Sequence, residues 1–398
     1  MLARSDKRVP SHLVNGEILI GIPCLLRGGT EMQTMLMVRA LVELGYKVEV
    51  CCYFESDERV VAEFQSAGAA VRLLGWQRSL GTAAFVRSLA AIFRERSTAV
   101  VHVQYMAPGL LPIVAARLAR VPVVLATVHY PGTPHGFVAH VLLRLGARLT
   151  DRFTCVSEAV ERSWFGDSRL LNPSHPEQVV GWRHCTIPNA VDIGGIDKAL
   201  AVRSPKVAET VARLEGKMVV GTVGRLSREK GIDILLEAFA EVHKAISQAR
   251  LLIVGDGSQL ADLQKLARQL GIGDSITWTG QLSWEAAMGC LRLMDVVAVP
   301  SRYEGFGLTV VEAMACGRPV VASSVDGLAE VIRDGVSGCL VPAEDASAFA
   351  EALTDLLKDK ERRQTIGMAA RRHAEEYYAY PRFRERCRVL YESLGVSP

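Results

Sequence analysis

Short apolar runs rich in valine alternate with segments of helical periodicity along the chain, and the alternation occurs twice. In the first half the runs are ILIGIP, VEVCCY, AVVHV, VPVVLATV and RFTCVS, and in the second half MVVGTV, ARLLIVG, SITWTG, VVAVP and PVVAS. Strands that alternate with helices in this way form parallel sheets of the doubly wound type. The sequence therefore predicts an α/β protein with two Rossmann-like domains.

Length and composition agree with two such domains. At 398 residues the chain can form two sizeable cores, and its 49% hydrophobic and 22% charged residues are typical of a soluble globular protein. Residues 189–207, which include Gly194, Gly195 and Pro205, are predicted to form the linker between the halves. Each half opens with a strand, a glycine-bearing turn and a helix. We expect two similar domains that face each other across a cleft, with ligands beyond the carboxyl ends of the strands.

Net charge and cysteine content limit which binding partners and which cellular compartment we expect. The net charge of +3 is too small to indicate nucleic-acid binding, and no basic run with interleaved aromatic residues occurs. The nine cysteines are dispersed and form no CxxC pair. Reduced, buried thiols in a cytoplasmic protein are the expectation.

Metal and nucleotide-cofactor signals are absent from the sequence. His129, His135 and His140 are neighbours in the chain, but they form no HExxH pair and no carboxylate is near them. The chain has no Asp-x-Asp pair, of the kind that a metal-bridged diphosphate site usually shows. Neither GxGxxG after an opening strand nor GxxxxGK[ST] is present. We expect no metal and no other cofactor.

Two uncharged stretches, residues 97–116 and 121–143, approach the length of a membrane span. Because Pro, Gly, Gln or His interrupts both, each is interpreted as a strand, a loop and a helix. Arg4, Lys7 and Arg8 precede ILIGIPCLL as in a signal peptide, but the apolar run is short and no small-residue cleavage site follows. A first β-strand is the prediction.

The most informative stretch is SRYEGFGLTVVEAMACGRPVVAS at residues 301–323. Gly305 and Gly307 let the backbone approach a ligand, and a helix that begins near Gly307 aims unpaired N–H groups at it. Such a helix start is suited to phosphate. Glu304 and Glu312 flank this turn and could accept hydroxyls on either side. A diphosphate between two polyols, as in a nucleotide-sugar, fits the arrangement.

This stretch resembles the donor site of the retaining GT-B glycosyltransferases of family four. Further motifs follow in the order that this family uses: GGTEMQTMLMVRALVELGYKVEV, IPNAVD, GTVGRLSREKG, VGDGSQL and EVIRDGVSGCLVPAED. The resemblance implies that a C-terminal helix, residues 380–398, returns to the first domain. The predicted domains are then residues 1–193 with 380–398, which bind the acceptor, and residues 194–379, which bind the donor.

Arg225 and Lys230 lie on a turn between a strand and a helix. Two fixed cations would stabilise the charge that develops on a leaving diphosphate more in the transition state than in the ground state. The matching positions of the family contact the donor diphosphate. The alternative is a pair of solvated charges in the first turn of a helix.

The resemblance assigns roles to further residues. Glu304 would hold sugar hydroxyls and Glu312 the ribose hydroxyls, while His129 occupies the usual place of an active-site histidine. The remaining donor-binding candidates are Gly28 and Gly29 in the first domain, Gly224, Asp256 and Gly257, and the backbone amides of Phe306, Gly307 and Leu308. Asp256 could equally cap a helix, and Ser157 and Glu158 could either approach a substrate or cap one.

The resemblance implies transfer of a sugar from a nucleotide-sugar, UDP-sugar favoured over GDP-sugar, to a glycan or lipid-linked glycan hydroxyl in cell-surface polysaccharide or glycolipid synthesis. The anomeric configuration would be retained. Two alternatives stay open. One is another GT-B enzyme, such as a nucleotide-sugar epimerase or a pyridoxal phosphate-dependent phosphorylase, and the other is a non-catalytic nucleotide-binding protein.

Peripheral membrane contact is a further hypothesis. It rests on Arg87, Arg94 and Arg96 beside the apolar residues of one helical segment, Phe85, Leu89, Ile92 and Phe93. A core-facing helix with solvated arginines is the alternative.

The sequence also departs from the family at Ala190 and Asp326, where glycine is usual. These departures concern the local backbone and not the predicted phosphate-binding start of the helix near Gly307.

Overall fold

The computed structural model describes residues 14–15, 17–96, 98–105, 109–202 and 205–398. Arg4, Lys7 and Arg8 lie outside these residues. The chain divides into two compact units, of which unit 1 contains the residues up to Asn189 together with Tyr380–Pro398, and unit 2 contains Ala190–Ala379.

The strands of both units are short and mostly buried. They are β1 Val14–Asn15, β2 Glu17–Ile22, β3 Lys47–Cys52, β4 Ala70–Leu73, β5 Val100–Tyr105, β6 Val123–Val128, β7 Arg152–Cys155, β8 His184–Thr186, β9 Met218–Val223, β10 Ala249–Val254, β11 Ile276–Trp278, β12 Val296–Val299, β13 Val320–Ser323, β14 Cys339–Val341 and β15 Val396–Ser397.

Both large sheets are parallel throughout. In unit 1 the order is β4-β3-β2-β5-β6-β7-β8, and in unit 2 it is β11-β10-β9-β12-β13-β14. In each sheet the order reverses beside the first strand, at β2/β5 and at β9/β12. Ligands of doubly wound sheets bind outside the carboxyl ends of the strands at such a reversal. The predicted α/β architecture with two Rossmann-like sheets is confirmed.

Helices connect the strands. They are α1 Gly29–Glu43, α2 Glu58–Ser66, α3 Thr82–Glu95, α4 Leu110–Leu118, α5 Phe137–Leu149, α6 Glu158–Phe165, α7 Ile193–Ala201, α8 Pro205–Leu214, α9 Ile232–Ala245, α10 Leu260–Gln269, α11 Trp284–Leu293, α12 Leu308–Ala315, α13 Asp326–Val331, α14 Ala346–Lys358, α15 Lys360–Tyr377 and α16 Tyr380–Glu392. Short 3-10 turns occur at Pro176–Val179, Arg228–Lys230 and Gly273–Ser275.

The predicted linker at residues 189–207 contains α7 and the start of α8. Asp192 caps α7, its side chain accepting the N–H of Gly195 at 3.0 Å. Ile196 and Ala199 are then buried on one face of the helix. The two glycines lie in the first turn of α7 and are not on its buried face. The cap and the buried side chains therefore stabilise the helix more than the glycines destabilise it.

The C-terminal helix α16 belongs to unit 1 and packs against α1. Its Tyr391 is fully buried, and the tyrosine hydroxyl lies 2.8 Å from Nδ1 of His102 on β5. Beyond α16, β15 pairs in parallel with β1. The return of this helix to the first domain, implied by the family resemblance, is confirmed.

The apolar face of α3 was the basis for the membrane hypothesis, and the structure contradicts that basis. Phe85, Leu89 and Phe93 are buried in unit 1. Arg94 is exposed and donates to the carbonyl of Leu118 at 2.8 Å. The helix is therefore a core helix with solvated arginines, because its hydrophobic period matches the face that covers the sheet.

Candidate active site

The carboxyl ends of β9 and β12 lie side by side at the strand-order reversal of unit 2. The loops that follow these strands form the wall of an open cavity. Five predicted residues line it, namely Gly224, Arg225, Lys230, Glu304 and Gly307, the last of which is the N-cap of α12. The structure thus brings residues up to 83 positions apart in sequence (224 to 307) into one site.

Lys230 and Glu304 form the closest ionic contact of this site. Nζ of Lys230 donates to Oε2 of Glu304 at 2.5 Å, with both side chains partly exposed to the cavity. Arg225 lies at the rim and is exposed. The pair holds a cation and a carboxylate within reach of one ligand, so a diphosphate and a sugar could be bound at adjacent positions.

A second ion pair fixes the two loops. The guanidinium of Arg302 donates to both carboxylate oxygens of Asp233 at 3.0 and 2.8 Å, and also to the carbonyl of Arg228 at 2.8 Å. Bidentate Arg–carboxylate pairs are geometrically specific. Arg302 therefore ties the loop after β12, which carries Glu304, to the loop after β9, which carries Lys230.

Gly231 and Gly307 meet backbone requirements that other residues would not. Gly231 has φ +63°, and a Cβ added to it would lie 2.0 Å from the carbonyl oxygen of Pro300. Gly307 has φ +90° and is the N-cap of α12. Both lie in the left-handed region that glycine populates without a Cβ clash. They let the two loops pack closely and turn the free N–H groups of α12 toward the cavity.

Glu312 lies one turn further along α12 and is held by a tryptophan. Nε1–H of Trp284 donates to Oε1 of Glu312 at 2.9 Å. Desolvation by the surrounding protein raises the pKa of Glu312 to about 7, and the tryptophan hydrogen bond lowers it in part. Near neutral pH the carboxyl group is therefore present both in the ionised form, which only accepts hydrogen bonds, and in the protonated form, which can also donate one.

Asp256 and Gly257 follow β10 and pack on the loop of Arg225. The carbonyl of Asp256 accepts the N–H of Leu226 at 2.9 Å, and a Cβ on Gly257 would lie 2.3 Å from the carbonyl of Leu226. The alternative that Asp256 caps α10 is wrong, because Gln259 is the N-cap. Its carboxylate instead accepts the N–H of Gly257 at 2.7 Å.

Phe306 and Leu308 differ in how much they can offer a ligand. The ring of Phe306 is buried against Tyr378, with ring centroids 5.4 Å apart. Only its backbone can reach the loop's ligand. Leu308 is the first residue of α12, so its N–H is among those that have no partner within the helix.

Unit 1 contains the remaining predicted residues. His129 follows β6 and is buried, and its Nε2 lies 2.8 Å from Oε1 of Gln104 on β5. Burial lowers the pKa of His129 to about 4, so the ring is neutral at pH 7. His129 and Gln104 line an open cavity within unit 1. Nε2 of Gln104 is buried there without a hydrogen-bond partner among the described residues.

Gly28 and Gly29 start α1 beyond the carboxyl end of β2. Gly28 is the N-cap in an extended conformation, and a Cβ on it would lie 2.5 Å from the carboxylate of Glu31. Glu31 is buried in the first turn, where it accepts the thiol of Cys24 at 3.3 Å. A carboxylate at that position also interacts favourably with the helix dipole.

Two family models match the chain. The one described as "Glycosyltransferase Family 4" matches residues 27–168, and the one described as "Glycosyl transferases group 1" matches residues 206–373. Both halves of the chain thus match models of glycosyltransferase families.

Relatives of this glycosyltransferase include D-inositol 3-phosphate glycosyltransferases. That of Stackebrandtia nassauensis is 29% identical over 381 residues, which cover 88% of this chain and 83% of the relative. That of Corynebacterium jeikeium is 39% identical over 183 residues, 44% of this chain and 43% of the relative. The chain thus matches less than half of the length of the second protein.

The fold of the glycosyltransferase is that of solved GT-B enzymes. The structure of Anabaena HepE in complex with UDP and glucose superposes with a TM-score of 0.78, at 22% identity, over 95% of this chain and 100% of that chain. At this identity the likeness concerns the fold.

Sequence reasoning missed several residues of the glycosyltransferase that touch the candidate sites. Trp284 donates a hydrogen bond to Glu312, Gln104 contacts His129, and Ser301 lines the cavity at the β9/β12 reversal with a buried hydroxyl that has no hydrogen-bond partner among the described residues. Gln104 could have been found as a polar residue at the carboxyl end of the apolar run VVHVQY.

Ser157 is the N-cap of α6, and its hydroxyl accepts the N–H of Val160 at 3.1 Å.

Asp326 shows the effect of one departure from the family pattern. It has φ +33°, in the region that favours glycine. The next residue, Gly327, donates its N–H to the carbonyl of Glu304 at 3.1 Å. The departure therefore lies against the backbone of the loop that carries Glu304.

No group of three or more His, Cys, Asp or Glu in the part of the chain that the structure describes could hold a metal ion. Across the same residues, no helix combines the length and the apolar character of a membrane span.

Proposed function

We propose that the enzyme transfers a hexose from a nucleotide-sugar, UDP-sugar before GDP-sugar, to a hydroxyl of a glycan or lipid-linked glycan in cell-surface polysaccharide or glycolipid synthesis. The observation that carries this proposal is the cavity at the β9/β12 reversal, which combines Arg225, Lys230, Glu304 and the N-terminus of α12. Cations beside a helix N-terminus favour a diphosphate, and a neighbouring carboxylate favours sugar hydroxyls.

Arg225 and Lys230 would stabilise the charge that develops on the diphosphate as the glycosidic bond breaks. Glu304 would accept sugar hydroxyls, and Glu312, oriented by Trp284, would accept the ribose hydroxyls. The backbone amides of Phe306, Gly307 and Leu308 would donate hydrogen bonds to the sugar and the phosphate. In this proposal Gly224, Asp256 and Gly257 line the donor side, and Gly28 and Gly29 would also bind the diphosphate.

The reaction would retain the anomeric configuration. The leaving diphosphate, held by Arg225 and Lys230, would take the acceptor's proton as the acceptor hydroxyl attacks on the face that the diphosphate leaves. No dedicated side-chain base is then required. The neutral ring of His129, set by Gln104, would hold the sugar's primary hydroxyl or a nearby backbone carbonyl.

The preference for UDP is supported by the HepE structure, which contains UDP and glucose. A cytoplasmic site of action, with the enzyme held peripherally at the membrane, would suit a lipid-linked acceptor. The nine cysteines, all among the described residues, are free thiols, which agrees with a reducing compartment.

A panel of UDP-, GDP- and ADP-sugars in a thermal-shift assay, followed by transfer and hydrolysis assays, tests the proposal. Binding raises the apparent stability in proportion to affinity. We expect the largest shift with a UDP-sugar and slow release of UDP from it. A shift without any turnover indicates a nucleotide-binding protein, and the absence of a shift with every donor would overturn the proposal.

A further inference from the structure

Helix α5 exposes an apolar face that is unusual for a surface helix. Phe137 is 82% exposed and Val138 69%, and further exposed apolar residues continue the same side of the helix at Val141, Leu142 and Leu145. The opposite side, with Leu143, Gly146 and Ala147, is buried in unit 1. The exposed residues recur at helical spacing and form one stripe.

The charged side chains of α5 itself are of one sign. The helix carries Arg144 and Arg148 and no Asp or Glu, whereas Arg117 on α4 is paired with Asp151 at 2.8 Å. Arg148 is exposed in the last turn of α5, and the exposed Arg144 donates its Nε–H to the carbonyl of Trp164 at 2.8 Å. The helix therefore presents an apolar stripe flanked by cations, without a carboxylate on α5 itself.

We propose that α5 is a docking surface for an anionic lipid bilayer. A helix with an apolar side and flanking arginines lies in the membrane interface, with its apolar side chains at the acyl boundary and its cations at anionic headgroups. The 13 residues of α5 extend for about 20 Å, long enough to lie along the surface. The docking itself does not depend on the transfer reaction, whereas its link to a lipid-linked acceptor rests on the proposed function.

A second copy of the chain fits this surface less well. In a twofold contact through α5 the same surface would face itself, so Arg144 and Arg148 of both copies would approach one another. No carboxylate on α5 would offset that repulsion. An anionic bilayer offers the opposite charge and an apolar layer together.

Co-sedimentation of the full chain with vesicles tests the proposal. The vesicles are phosphatidylcholine alone or mixed with phosphatidylglycerol, at low and high salt. We expect binding only to the phosphatidylglycerol vesicles, weakened by salt. The double substitution Val138→Ser and Val141→Ser should lower binding by about tenfold or more, because it removes two apolar side chains from the interface. Arg148→Gln should lower it by a smaller factor.

Matched controls are Met368→Ser and Arg372→Gln, exposed positions of unit 2. The thermal midpoint of each variant shows that it is folded, and UDP-sugar hydrolysis in solution should be unchanged by the α5 substitutions. Failure of the wild-type protein to sediment, or equal sedimentation of the α5 variants, would overturn the proposal. A dimer in solution that the α5 variants dissociate would assign the surface to a second copy instead.

Discussion

Nζ of Lys230 and Oε2 of Glu304 lie 2.5 Å apart, so the cation assigned to the diphosphate and the carboxylate assigned to the sugar neutralise one another. A nucleotide-sugar that binds here has to interact with Lys230 and Glu304 while the two side chains also interact with each other. The contact therefore couples the two halves of the donor site, and substitutions at the two positions should not be independent.

Replacing Lys230 by Ala should mainly lower kcat, because it should remove about 2 to 4 kcal/mol of transition-state stabilisation. Arg225→Ala should act in the same direction. In the double variant Lys230→Ala, Glu304→Ala the losses should be less than additive, as steady-state kinetics will show. Lys244→Ala, at an exposed lysine of α9 paired with Glu241, is the control. Normal turnover of Lys230→Ala would remove this lysine from the mechanism.

Donor affinity should rise as pH increases through about 7, the pKa to which burial raises Glu312. Only the ionised carboxylate accepts both ribose hydroxyls, so the protonated form below this pH binds them less well. Calorimetric titration with UDP across this range measures the effect. Glu312→Gln should flatten the profile, and Trp284→Phe, which removes the N–H donor, should shift it to higher pH. An unchanged profile in Glu312→Gln would refute the assignment.

Acid should destabilise unit 1 through two buried histidines. Burial lowers the pKa of His129 to about 4 and that of His102 to about 3. The unfolded chain then binds more protons than the folded one, so stability is lost as pH falls from the ordinary 6.5 toward these values. For His129 the full loss is about 3 kcal/mol. Urea unfolding at a series of pH values should show it, with a shallower slope in His129→Gln.

Turnover should survive chelation with EDTA, because fixed cations and a helix N-terminus would neutralise the diphosphate. The measurement is UDP release with and without the chelator. Loss of activity that magnesium or manganese restores would contradict metal-free chemistry.

The product should keep the anomeric configuration of the donor. Proton NMR of fresh product from an α-linked donor should show an α-linked sugar. A β-linked product would mean inversion, and the retaining mechanism would have to be withdrawn.

The apolar runs were sufficient to predict the buried strands, because parallel strands covered on both faces consist of apolar residues almost throughout. The strands that escaped prediction are β4, with its mixed AVRL sequence, the three-residue β8 and β14, and the two-residue β1 and β15. They lie at or near sheet edges, where tertiary pairing rather than hydrophobic period decides.

The motifs placed Lys230 and Glu304 on turns, but their contact depends on the adjacency of β9 and β12, which lie 73 residues apart (223 to 296). Trp284 escaped notice for the same reason, since its only polar atom meets Glu312 from another helix. Long-range contacts of this kind follow from the strand order and not from local sequence.

Tyr391 closes the hydrogen-bond network of His102 from α16, although the rest of unit 1 precedes Ala190 in the chain. During synthesis the ribosome therefore makes all of unit 2 before unit 1 receives its last helix. Until then His102 lacks its Tyr391 partner and β1 lacks its pairing with β15. Unit 1 therefore cannot complete its fold until the whole of unit 2 has been synthesised.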